Sequence, residues 1–153
     1  MIKKFFLTSR WVLICCLAFV TSSCCTMMYC IGADDMDNIH FNNFQNSELD
    51  TITIQRFPRN NNYVGVLEEV DVVTSVFSEE SNFQRIQLPV KMTADYDYKV
   101  KLISTGAVYT ISDFVTKKED CNTGFMCNDS FNALESYMVN GNKMSTYQIA
   151  ISK

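Results

Sequence analysis

The chain has one histidine, His40, and one tryptophan, Trp11, in 153 residues. With a single imidazole, set in a polar and irregular segment, a Ser–His or Cys–His pair is hard to assemble, which argues against nucleophilic catalysis. A basic stripe is missing too, since 13 Lys and Arg face 17 Asp and Glu. That balance excludes nucleic acid and anionic headgroups as electrostatic partners. Long apolar stretches are also scarce. The run Trp11–Val20, WVLICCLAFV, stops after ten residues, about half of what a bilayer span requires.

What surrounds that run is informative. Lys3, Lys4 and Arg10 precede it, and Thr21-Ser22-Ser23 follow it. A positive start, a short apolar centre and a small-residue exit make a secretory leader. Cys24 comes next, and the TSSC junction resembles the lipobox of bacterial lipoproteins. There a cysteine after small residues receives lipid at the cut. Ser22 and Ser23 fit the small positions, while Thr21 stands where leucine is usual. The resemblance implies a leader over 1–23 and a lipid-bearing Cys24 that holds the protein on a membrane. An uncleaved signal-anchor helix stays open, because the 23 residues from Trp11 to Ala33 carry no charge. So does a freely secreted chain. All three readings deliver the C-terminal part outside the cytoplasm. Lys3, Lys4 and Arg10 would leave with the leader, so the remaining chain has 10 basic and 17 acidic residues, a net charge of −7.

Seven cysteines sort by position. Cys15 and Cys16 lie inside the apolar run and act as hydrophobic filler. Cys25 and Cys30 sit beside Cys24 with no predicted structure to fix them. Cys121 and Cys127 stand in a loop-like segment, and in an oxidising compartment they are expected to close it as a disulfide worth about 2 kcal/mol. A zinc site would need two further ligands, so neither metal nor cofactor is expected.

Residues 24–49 read as the lipidated cysteine and a flexible tether, rich in Asn and Asp and including His40. From Thr51 the hydrophobic period is two. Ile52 and Ile54 alternate with Thr51, Thr53 and Gln55; Val70, Val72 and Val76 share a face; Ile86, Leu88 and Val90 follow, with Pro89 marking an edge strand. Tyr96, Tyr98, Val100 and Leu102 oppose Asp95, Asp97, Lys99 and Lys101, as in a sheet with one wet face. Ala107, Tyr109 and Ile111 continue the pattern. A helical turn is expected at Ser130–Leu134, then a strand, an Asn140-Gly141 hairpin turn, and a last strand with Tyr147, Ile149 and Ile151 inward. Short strands with almost no helix predict an all-β fold over 50–153. The expected architecture is a single β-sandwich of about seven strands, immunoglobulin-like or transthyretin-like.

Candidate sites are few. Asp95, Asp97, Asp113 and Asp129 could be offered to calcium, but their spacing lacks an EF-hand pattern, and Asp95 and Asp97 read as solvated surface. The tyrosines Tyr63, Tyr96, Tyr98, Tyr109, Tyr137 and Tyr147 suit either a sugar-binding face or a core.

The TSSC junction, the acidic Asn-rich segment and the small β-domain together resemble the small lipoproteins of Bacteroidetes. That resemblance implies attachment to the bacterial outer membrane. In the same bacteria a three-residue O-glycosylation motif resembles Asp50-Thr51-Ile52, making Thr51 the candidate attachment residue. The expected function is a non-enzymatic, lipid-anchored β-sandwich that binds a protein or glycan partner at the envelope. A structural part of an envelope machine or fimbria is the alternative, and a single-pass signal-anchored domain is a third reading.

Overall fold

The structure, a computed structural model, describes residues 30, 32–74, 83–121 and 129–153. Among these residues nine strands follow in order: β1 (Met36–Asn42), β2 (Thr51–Pro58), β3 (Glu68–Val73), β4 (Phe83–Met92), β5 (Tyr96–Leu102), β6 (Val108–Asp120), β7 (Ser130–Val139), β8 (Asn142–Met144) and β9 (Ile149–Ser152). A 3-10 turn at Asn46–Glu48 is the one helical element among the described residues. Six strands form a sheet in the order β3-β2-β5-β6-β7-β8, and three form a second, β4-β1-β9. The two pack as a β-sandwich, with two strands more than the hydrophobic period alone suggests.

Compactness divides the chain into two units. The larger, residues 31–118 and 132–153, contains the sandwich. The smaller comprises 1–30 and 119–131. Within its described residues a disulfide joins Cys30 to Cys121, their Cα atoms 5.8 Å apart. The Cys121 N–H donates to the Asp129 carbonyl at 2.8 Å.

The apolar half of the alternation along β5 is as the sequence predicts. Tyr98, Val100 and Leu102 are buried in the core, with Tyr96 packed against it. The β2–β5 register sets Ile54 beside Val100 and Ile52 beside Leu102, and β6 adds Ile111 and Tyr109 opposite Tyr98 and Val100. The second sheet answers with Ile39, Phe41, Ile86, Leu88, Ile149 and Ile151. Each such side chain contributes about 1.5–3 kcal/mol by leaving water. Ile111 and Phe114 both enter the core although three apart. The extra residue is absorbed at Asp113, whose φ is +52°, which is how a bulge re-aims a strand. Phe114 then lies between two tyrosines, edge-on to Tyr98 and stacked on Tyr137, each with centroids 6.1 Å away. The Tyr98 hydroxyl accepts the Thr93 N–H at 2.8 Å, just past β4.

Four expectations need correction. The stretch read as tether contains β1, the central strand of its sheet, with Met36, Ile39 and Phe41 buried and Phe44 and Leu49 following them into the core. Pairing on both sides, antiparallel to β4 and parallel to β9, supplies the backbone partners that a polar segment lacks alone. Ser130–Leu134 is the start of β7 and not a helical turn. Cys121 is bonded to Cys30 instead of Cys127, which lies outside the described residues along with Cys24, Cys25 and Val76. Tyr147 is 76% exposed and does not face inward. The edge position of Pro89 and the Asn140-Gly141 turn, with φ of +50° and +78°, agree with the sequence.

Candidate binding surface

The most unusual backbone in the described residues lies in the β2–β3 loop, residues 59–67. Asn60, Asn62, Tyr63 and Gly65 all have φ between +48° and +74°. Asn and Gly tolerate the left-handed region, whereas for a bulky residue such as Tyr63 it is strained by about 1 kcal/mol or more. Such a conformation persists only where its surroundings over-determine it.

Those surroundings can be named. Arg59 Nη2 donates to the Phe114 carbonyl at 2.7 Å, and Nη1 lies 3.3 Å from the Ala94 carbonyl. The Asn60 N–H donates to Asp97 Oδ2 at 2.8 Å. At the other end the Leu67 N–H returns to the Arg56 carbonyl at 2.8 Å. Asn61 and Val64 close an inner turn, with the Val64 N–H on the Asn61 carbonyl and Asn61 Nδ2 on the Val64 carbonyl, both at 3.0 Å. The loop folds back onto the sheet's outer face, where the Tyr63 ring meets Phe57 edge-on at 5.6 Å. Lys99 Nζ sits about 5 Å from both rings, a cation–π arrangement that leaves Phe57 buried on the nominally wet side.

What this scaffold presents is apolar. Val64, Val66 and Leu67 are 64%, 50% and 53% exposed. Singly exposed aliphatics are ordinary, but three in four residues on a pinned loop form a patch of the kind that marks recognition. Glu68 and Arg56 pair at 3.2 Å at its base, and Arg56 also lies 4.6 Å from the Tyr96 ring centroid.

Asp97 is the polar centre of the loop's attachment. It is 3% exposed, and its Oδ1 has no hydrogen-bond partner among the described residues. Burial raises its pKa above the ordinary carboxylate range and nearby Asp113 adds to this, while the Asn60 N–H and Arg59 oppose it. The sequence reading of Asp97 as solvated surface is therefore wrong, and the β2–β3 loop meets it through the Asn60 N–H. Asp95, Asp113 and Asp129 are exposed. No cluster of three or more metal-ligating side chains occurs among the described residues.

The remaining candidates disperse. Thr51 is half-buried at the first position of β2, paired with Val73, and its carbonyl accepts the Ile103 N–H at 3.0 Å. His40 is buried in β1 beside Ala150 and Arg85 in register. Burial lowers its pKa, a hydrogen bond with the Gln148 side chain opposes that, and the Arg85 charge lowers it further. Tyr98 and Tyr137 are core residues, Tyr63 serves the loop, and Tyr147 is exposed. Tyr96 and Tyr109 pack against the same core, so the tyrosines build the interior and not a shared exposed face among the described residues.

No helix among the described residues is long and apolar enough to cross a membrane. The chain matches no protein-family model, no curated protein and no solved structure.

Proposed function

We propose that the protein is a non-enzymatic, lipid-anchored β-sandwich that binds a protein partner outside the cytoplasm through residues 59–67. The observation that carries this reading is the pairing of a strained, multiply tied backbone with the exposed side chains of Val64, Val66 and Leu67. A rigid apolar loop loses little entropy on association, which favours affinity. Aliphatic contacts suit a protein surface. A glycan platform would use exposed aromatic faces, and here Tyr98 and Tyr137 are in the core. Attachment rests on the TSSC junction, with Cys24 as the lipid-bearing residue. The acidic balance supports a hold on the membrane through lipid instead of through charge.

Site-specific photocrosslinking tests the surface. A photoreactive residue at position 67 in the membrane-borne protein should give one adduct of defined mass, and Val64→Asp should remove it. The exposed position 103, in the turn after β5, is the control. The same adduct from both positions, or none from position 67, rejects the loop as the binding surface.

A further inference from the structure

We propose that the outer edge of β3 docks an extended partner segment whose side chains alternate basic and apolar, adding it as a further strand of the six-stranded sheet. This rests on the reading of residues 59–67 as a protein-binding surface, which Leu67 continues directly into β3, and it gives that partner a chemistry.

The backbone comes first. β3 ends its sheet and pairs with β2 alone among the described strands. Two bonds fix the phase of the ladders on either side of β2. The Thr74 N–H donates to the Asp50 carbonyl and the Ile103 N–H to the Thr51 carbonyl, both at 3.0 Å. Backbone groups alternate in direction along an antiparallel strand, so Val70 and Val72 turn theirs to β2. The N–H and C=O groups of Glu69, Asp71 and Val73 therefore lie along the outer edge, where no described strand meets them. Such a row is a template for one more strand.

The side chains then select what is added. On the outer face Glu69 and Asp71 are exposed. The Gln55 side chain donates to Glu69, and Thr53 Oγ1 donates to Asp71 Oδ1 at 2.7 Å, so β2 holds both carboxylates in place. Neither is in an ion pair among the described residues. Residues directly opposite them on an added strand meet two negative charges, which favours Lys or Arg there. On the inner face an apolar cleft is lined by Ile54, Val70, Pro89, Val90 and Met92. It opens between β3 and β4, the edge of the other sheet, and faces the alternate, inward side chains of the same added strand. Aliphatic residues suit those positions.

A second copy of this chain fits poorly. With outer faces together, the registers that use most of β3 set Asp71 opposite itself or opposite Glu69, and like charges across a ladder repel. The excess of acidic residues adds to that repulsion and draws a basic segment from a distance.

The probe is a synthetic peptide of alternating Lys and Val, added to the full chain in detergent micelles, with amide exchange followed by NMR. The Glu69, Asp71 and Val73 amides should gain protection severalfold, while those of Val70 and Val72, already turned to β2, change little. N-methylating the peptide throughout removes its N–H donors and should abolish the effect. Replacing Glu69 and Asp71 together with Lys should turn the preference to a peptide of alternating Glu and Val. Asp71→Asn, which should weaken the Lys–Val peptide severalfold, keeps the idea testable if the double variant does not fold. Edge amides that stay unchanged, protection that survives N-methylation, or equal protection by both peptides in the unmodified protein overturns the docking site. Glu69 and Asp71 would then be guards against self-association only. Protection of β3 without an adduct at position 67 rejects the loop and spares the edge, whereas an adduct with unchanged β3 amides rejects the edge alone.

Discussion

The Tyr137 hydroxyl accepts the backbone N–H of Ala150 at 2.6 Å, so a side chain of one sheet completes the edge of the other. The same oxygen lies 3.0 Å from the Gln148 carbonyl and 2.9 Å from Thr146 Oγ1. Tyr98 treats the end of β4 in the same way through Thr93. Both outer strands of the three-stranded sheet are thus tied to the six-stranded one by buried phenols. Burial raises the pKa of each, so they act as neutral hydrogen-bonding groups.

Tyr137→Phe should therefore strand the Ala150 N–H and lower stability by about 1–3 kcal/mol. Tyr98→Phe should cost a similar amount at Thr93. Tyr147→Phe, at an exposed site, should change stability by less than about 0.5 kcal/mol. Urea denaturation followed by circular dichroism distinguishes the three, and equal losses for all would refute the assignment.

Acid should weaken the three-stranded sheet through His40. Its folded pKa lies below the ordinary 6.5, so the unfolded chain takes the proton first. Stability is then fully present above the unfolded value and declines as pH falls through the folded one. Thermal midpoints measured from about pH 7.5 to about pH 5 should decline, and His40→Gln should flatten that slope. A slope unchanged in the variant would assign the effect to other groups.

Reducing the Cys30–Cys121 bond should cost more than a local clasp would. It spans a sequence separation of 91, for which loop-closure entropy gives an upper value of about 4–5 kcal/mol, against about 2 for a very short loop. Replacing both residues with Ser should lower the urea midpoint accordingly. Peptide mapping without reductant should yield a cross-linked pair containing Cys30 and Cys121. A peptide joining Cys121 to Cys127 would disprove this connectivity.

Lipid attachment predicts that cells grown on labelled palmitate mark the protein, and that Cys24→Ser removes the mark. Label retained in that variant excludes Cys24 as the site.

Much of the sandwich was legible from its wet-and-dry strands. β2, β4 and β5 alternate in hydrophobicity along the sequence, although Thr53, Gln55, Phe57 and Asp97 on the other face are buried as well, and Asn140-Gly141 announces its turn. β1 was hidden because Asn38 and His40 are buried as well as Ile39 and Phe41, so its polar residues looked like linker composition. In β7, Ala133, Leu134, Ser136 and Tyr137 are all buried, which breaks the period of two and imitates a helical spacing. The pairing of Cys121 depended on a partner far away in sequence, and no local pattern encodes that. The loop over 59–67 was half visible. The run Asn60-Asn61-Asn62 has the composition of a loop, but only the hydrogen bonds of Arg59 and Asp97 show that the backbone is fixed.

The parallel pairing of β1 with β9 has a kinetic meaning. Ile39 meets Ile149 and Phe41 meets Ile151, so the central strand of the smaller sheet waits for residues synthesised almost a whole domain later. Contacts of such sequence separation make for slow folding, because chain closure must precede the interactions that reward it. A chain emerging N-terminus first exposes Ile39 and Phe41 until Ile149–Ser152 arrive. Until then β1 lacks its parallel neighbour, so the smaller sheet closes only when the last strand of the chain becomes available.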